Sequence, residues 1–166
     1  KDLYATRRSG EDDIIKNSAT NFYKGNISKE EVEKFYDAQR VPNDATPISY
    51  GLNSQLVKEN GKIYENVYKS GGLYGEAIDQ IIYWLEKANA VAENDTQRNY
   101  TNLLIDYYKT GDLKTWDEYN VAWVQDSVST IDFVNGFIED YGDPMGMKAT
   151  WEAVVNFKDM EATKRS

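Results

Sequence analysis

The chain has 166 residues, enough for one domain of ordinary size with a real core, and its 40% hydrophobic and 13% aromatic content excludes a disordered tail. Its formal charge of −9, from 28 acidic and 19 basic side chains, argues against nucleic acid, which needs a basic patch to displace counterions. The same charge weakens the case for an anionic membrane surface, whereas a cationic group such as a peptide amino terminus is compatible with it.

In chain order, residues 11–23 carry a helical pattern with Ile14, Ile15 and Phe22 as apolar members, and Glu11-Asp12-Asp13 at its start complement the helix dipole. The next helix has an explicit start: Ser28 with Glu31 fits a capping box, and Ile27 with Val32 fits the hydrophobic staple beside it. Val32, Phe35 and Tyr36 share its inner face, and Pro42 lies just past its end. VPNDATPISYG is a loop. Asn60-Gly61, flanked by Leu56-Val57 and by Ile63, Val67 and Tyr68, predicts a β-hairpin that Gly71-Gly72 closes.

From Leu73 the period changes. Ile78, Ile81, Ile82, Leu85, Ala88 and Ala92 predict one helix. Asp95 is placed to cap a second, carrying Tyr100, Leu103, Leu104, Tyr107 and Tyr108 and stopping at Gly111. Asp112 is placed to cap a third, with Leu113, Trp116, Tyr119 and Trp123 inward. Tight turns between them predict an antiparallel helical layer whose aromatic stripe is core packing. Residues 127–135 read as further helix, Asp143-Pro144 and Gly146 as turns, and residues 151–157 as a strand. The expected fold is α+β, predominantly α-helical, a single domain or subdomain with a small hairpin and a C-terminal strand.

With no cysteine and no histidine, disulfides, thiol catalysis and a Ser-His triad are excluded, and a zinc site would lack its usual imidazole. No calcium-loop pattern, signal peptide or apolar run of ~18 residues is present. The chemistry therefore concentrates in GFIEDYGDPMGMKATWEAVVNF, residues 136–157. A fixed carboxylate there can hold an amine through a charge-assisted bond, and an extended peptide can add to a sheet edge. Glu139 and Tyr141 are two apart, so an extended backbone would turn them to one side and a helix would not. Asp143-Pro144-x-Gly146 reads as a turn device in which Asp143 bonds its own backbone, not as a catalytic group. A glycosidase pairing Glu139 with Glu152 is disfavoured, since no sugar-enzyme motif accompanies the two carboxylates.

The string GFIEDYGDPMG followed by WEAVVN resembles the signature region of dipeptidyl peptidase III, a family of zinc exopeptidases, in its bacterial branch. The family pattern Gly-Phe-Ile-Glu-x-Tyr-x-Asp-Pro-x-Gly matches residues 136–146, and its acidic residue before a Val-Val-Asn strand matches Glu152. The clear match covers residues 90–156. The family's His-Glu-x-x-Gly-His zinc motif and its later Glu-Glu helix are absent, and a shorter spacing after the turn makes Glu152 depend on gap placement.

The resemblance implies a fragment of a larger two-lobed, cytoplasmic peptidase that removes dipeptides from peptide amino termini. Zinc and the catalytic residues would sit in the parent, with none here. Glu139 and Glu152 would anchor the substrate ammonium and Tyr141 would clamp its backbone; the partners would be the peptide and the remainder of the parent chain. The alternative is a non-enzymatic helical interaction domain whose tyrosine-rich faces meet a partner.

Overall fold

The computed structural model describes residues 6–10 and 12–165. They form two compact units: one runs up to Tyr68 and adds Phe137–Thr150, the other is Lys69–Gly136 with the C-terminal segment from Trp151.

In the first unit, β1 (Tyr23–Lys24), α1 (Lys29–Asp37), β2 (Ser54–Glu59) and β3 (Lys62–Val67) follow in order. β2 is central, parallel to β1 and antiparallel to β3. The hairpin pairs Glu59 with Lys62 across Asn60 and Gly61, at φ 50° and 78°, the doubly left-handed turn that Asn-Gly supplies. Ser28 accepts the Glu31 N–H while Glu31 accepts the Ser28 N–H, so the capping box is complete. Lys58 pairs with the same Glu31 carboxylate at 2.6 Å, and that hydrogen bond, with the Ser28 N–H, lowers the Glu31 pKa. Ile27 and Val32 are buried with Ile14, Ile15, Phe22 and Leu56 in one cluster.

The helix expected over residues 11–23 is not formed by the described residues, and Glu11 lies outside them. The Asp13 carboxylate accepts N–H groups from Ile15, Lys16 and Lys29, and the Ser18 hydroxyl donates to the Ile14 carbonyl. Such side chains offer the backbone a local alternative to helix. One turn results, after which Tyr23 extends beside Leu56.

The second unit contains α2 (Gly75–Ala90), α3 (Asp95–Thr110) and α4 (Leu113–Val124), with α3 packed on both others. The cap of α3 is Asn94 rather than Asp95: its side chain accepts the Gln97 N–H at 2.9 Å. Asp112 caps α4 through the N–H groups of Lys114 and Thr115. Tyr100, Tyr107, Tyr108, Trp116 and Tyr119 are buried, so the aromatic stripe is core, its rings contributing large buried apolar area.

The strand β4 (Ile131–Glu139) occupies what the sequence assigns to helix over residues 127–135. Asp126 closes a turn by accepting N–H groups from Val128 and Ser129. Glu93 then accepts those of Thr130 and Ile131, which lower its pKa and leave the chain extended. β5 (Thr150–Phe157) pairs with β4 in a two-stranded sheet. Thr150 bonds the Glu139 carbonyl at one end and the Lys158 N–H bonds the Thr130 carbonyl at the other, so the pair is antiparallel. A short α5 (Met160–Arg165) follows. Of the described residues 37% are helical and 21% strand, so the fold is mixed α+β; β4 is the element that the predominantly helical expectation lacked.

Candidate functional site: the end of β4 and the turn beyond it

The path into the site is set by Gly136, over which the Trp116 ring lies so closely that a Cβ would overlap its edge. Beyond it, Phe137 is buried against Tyr68 at 4.9 Å between ring centres. Glu139, the last residue of β4, is exposed, and its carboxylate has no hydrogen bond or ion pair among the described residues. Tyr141 is 66% exposed in the turn that follows. The two belong to the first unit, but the strand ends between them, so the extended register expected for the pair is not maintained by a sheet. Glu152 is half-buried in β5 and belongs to the second unit.

Asp143 has no exposed surface. Its carboxylate accepts the N–H groups of Met145, Met147 and Lys148 at 3.2, 2.9 and 2.9 Å and the Tyr23 hydroxyl at 3.0 Å. It is the turn device that its sequence setting predicts, reaching further than its own backbone. Burial first, and then Asp143, push the Tyr23 pKa up.

Lys148 is the residue that sequence reasoning misses. Its side chain is fully buried, with Nζ 2.6 Å from the Tyr36 hydroxyl. A lysine between Met147 and Ala149 carries no signal of burial, since lysines are almost always exposed.

In the second unit, a groove of about 490 Å³ runs between α2 and the β4–β5 strands, lined by Trp84, Leu85, Val91, Phe133, Trp151 and Val155 among others. Trp151 Nε1 donates to the Tyr108 hydroxyl at 2.8 Å, which donates to Asn135 at 2.7 Å, tying both strands to α3.

The exposed carboxylate of Glu139 can hold a cation, and the phenol of Tyr141 can donate to a carbonyl. A metal finds less: the chain has no imidazole or thiolate. Among the described residues no three acidic side chains converge either. Zinc chemistry does not fit the groups present among the described residues.

Residues 6–166 match the model of Peptidase family M49, and the chain belongs to that family. It is 25% identical over 160 residues to the dipeptidyl peptidase 3 of Dictyostelium discoideum, covering 87% of this chain and 23% of that protein. With the Rattus norvegicus dipeptidyl peptidase 3 it shares 32% identity over 94 residues, 55% of this chain and 13% of the relative. Among solved structures, the DPP III from Caldithrix abyssi superposes with a TM-score of 0.69 at 25% identity, over 88% of this chain and 26% of that one. The dipeptidyl-peptidase III from Corallococcus sp. strain EGB has the same fold, with a TM-score of 0.65 at 22% identity, over 87% of this chain and 26% of the other. The chain thus spans about a quarter of the length of these solved relatives.

Proposed function

We propose that this chain forms part of the substrate cleft of an M49 dipeptidyl peptidase and holds the amino end of a peptide. The observation that carries this reading is Glu139: an exposed carboxylate without a partner among the described residues, two residues from an exposed tyrosine, inside the stretch matched by the family. An enzyme that releases dipeptides must measure from the free amine, and a carboxylate on the end of a strand provides a fixed origin. In this reading Glu139 is the ammonium anchor, Tyr141 donates to the peptide backbone, and Glu152 is a second anchor. Zinc and the catalytic base belong to parts of an M49 protein outside these 166 residues, so the chain alone releases no dipeptide.

Calorimetric titration with a short peptide tests this, comparing a free with an acetylated amino terminus. A hydrogen bond to a charged group contributes ~1.5–3 kcal/mol, so the free amine should bind roughly 10–100-fold tighter. Glu139→Gln should remove that difference, and equal affinities for the two peptides would sink the reading. Dipeptide release by the purified chain, free of contaminants, would overturn the claim of inactivity.

The interaction-domain reading has one observation in its favour, the apolar groove of the second unit with exposed Trp84 and Val91. The tyrosines of α3 and α4 do not serve it, because Tyr100, Tyr107, Tyr108 and Tyr119 are interior.

A further inference from the structure

Lysine is among the costliest side chains to bury, and a buried charge needs partners. Lys148 has no exposed surface, and none of the described carboxylates bonds its ammonium directly. Nζ donates instead to the Tyr36 hydroxyl at 2.6 Å, the Ser54 carbonyl and hydroxyl at 3.1 Å, and the Gly51 carbonyl at 3.3 Å. Negative charge reaches it through hydroxyls. Glu65 accepts from Tyr36 at 2.8 Å and from Ser54 at 2.6 Å. The rings of Tyr36 and Tyr23 face Nζ at 5.1 and 5.7 Å. Nothing larger than Gly51 would fit, since a Cβ there would stand 2.7 Å from the Tyr36 hydroxyl and 3.2 Å from Nζ.

The main chain of Lys148 is held as well, its N–H bonding Asp143 at 2.9 Å. Lys148 is therefore fixed at both ends: by its backbone to the turn that follows Glu139, and by its ammonium to α1, β2 and the Gly51 turn. That turn carries Tyr141, and its first bond runs from the Asp143 N–H to the Asp140 carbonyl, one residue past Glu139.

We propose that Lys148 is a positioning residue, whose buried side-chain nitrogen, through its hydrogen bonds, pins the 140–149 turn, and with it Tyr141 and the Glu139 end of β4, to the α1–β2 face of its unit. The relevance to peptide binding rests on the function proposed above; the tether itself does not.

A pH profile distinguishes such a tether from ordinary packing. Burial lowers the Lys148 pKa to about 8, while Glu65 and Asp143 oppose the shift. An opening that wets the side chain restores the usual value near ~10.4. Below about 8 both closed and open forms hold the proton, and opening does not depend on pH. Above it the open form holds one more proton, so opening becomes less favourable as pH rises and the turn tightens. The titratable groups facing Lys148 are Tyr23 from β1, Tyr36 from α1, Glu65 from β3 and Asp143 from the turn. Burial pushes both tyrosines up, away from this window.

Amide hydrogen exchange is the test, run where reclosing outpaces exchange and corrected for intrinsic rates. In the wild-type chain, protection of Met147 and Lys148 should rise up to about tenfold per pH unit between roughly pH 8 and 10, with Leu104 in α3 and Val57 in β2 as references. Lys148→Met should lower protection of these turn amides about tenfold at neutral pH and flatten the profile. A flat wild-type profile, or unchanged protection in the variant, would overturn the proposal. If Lys148→Met does not fold, the wild-type profile decides alone. Amine-dependent peptide binding in the variant should weaken by about tenfold at neutral pH. A wild-type chain that ignores the peptide amine removes the peptide reading and leaves exchange to judge the tether. Exchange is measured without peptide because a peptide's own α-amine titrates near ~8.

Discussion

Asp143 and Lys148 are fully buried five residues apart, yet the carboxylate of one receives the main-chain N–H of the other while the ammonium turns away to Tyr36 and Ser54. Opposite charges at this spacing could have paired with each other. Each instead organises a different set of neighbours, and the turn between them is fastened at two places.

Asp143→Ala would leave three N–H groups and the Tyr23 hydroxyl without their acceptor. Removing one partner from a buried charged network costs ~3–5 kcal/mol. Urea denaturation should show a loss of that size, with the amides of β1 and β2 affected before those of α3. A loss under ~1 kcal/mol would mean that water replaces the carboxylate.

Gly136→Ala places a methyl group against the Trp116 ring edge. Overpacking of this kind costs ~1–3 kcal/mol. Tryptophan fluorescence in a denaturant series would follow it, and adding Trp116→Leu should recover part of the loss because the two changes share one space.

Ser28→Ala removes one half of the α1 capping box and should cost ~1 kcal/mol by thermal denaturation. Glu31, the other half, gives a signed pH effect. Its folded pKa lies below its ordinary 4.5, so it stabilises the fold above that value and loses the contribution as pH falls through the folded pKa. Glu31→Gln should flatten the acid limb of the stability curve, and an unchanged limb would remove Glu31 from its causes.

Tyr141→Phe should leave stability within about 0.5 kcal/mol, because the side chain is exposed. Peptide affinity should fall roughly two- to tenfold, the contribution of one neutral hydrogen bond. Unchanged affinity would take Tyr141 out of the site.

Features encoded in neighbouring residues were legible in the sequence. The capping box of Ser28 and Glu31, the Asn60-Gly61 turn, the Gly111 stop and the Asp143 turn each rest on side chains acting within a few positions of themselves. Two expected helices were lost to the same kind of local chemistry: Asp13 with Ser18, and Asp126 with Glu93, bind the backbone groups that a helix would have used. The buried lysine was illegible for the opposite reason. Tyr36, Gly51 and Ser54 lie 112, 97 and 94 residues away from it in the chain. At the candidate site the sequence drew attention to Glu139 and Tyr141, which remain proposed site residues, but not to the turn's anchorage, which no local spacing encodes.

The discontinuity of the first unit has a consequence for biosynthesis. A ribosome that has delivered the chain as far as Tyr68 has made every strand of the three-stranded sheet, but neither Asp143 nor Lys148. Tyr23 and Tyr36 must await partners 120 and 112 residues downstream, while α2, α3 and α4 emerge in between and complete their mutual contacts within one continuous stretch. Local contacts form early and distant ones late. Within this stretch the helices therefore mature first, and the sheet that precedes them is among the last of these elements to become protease-resistant.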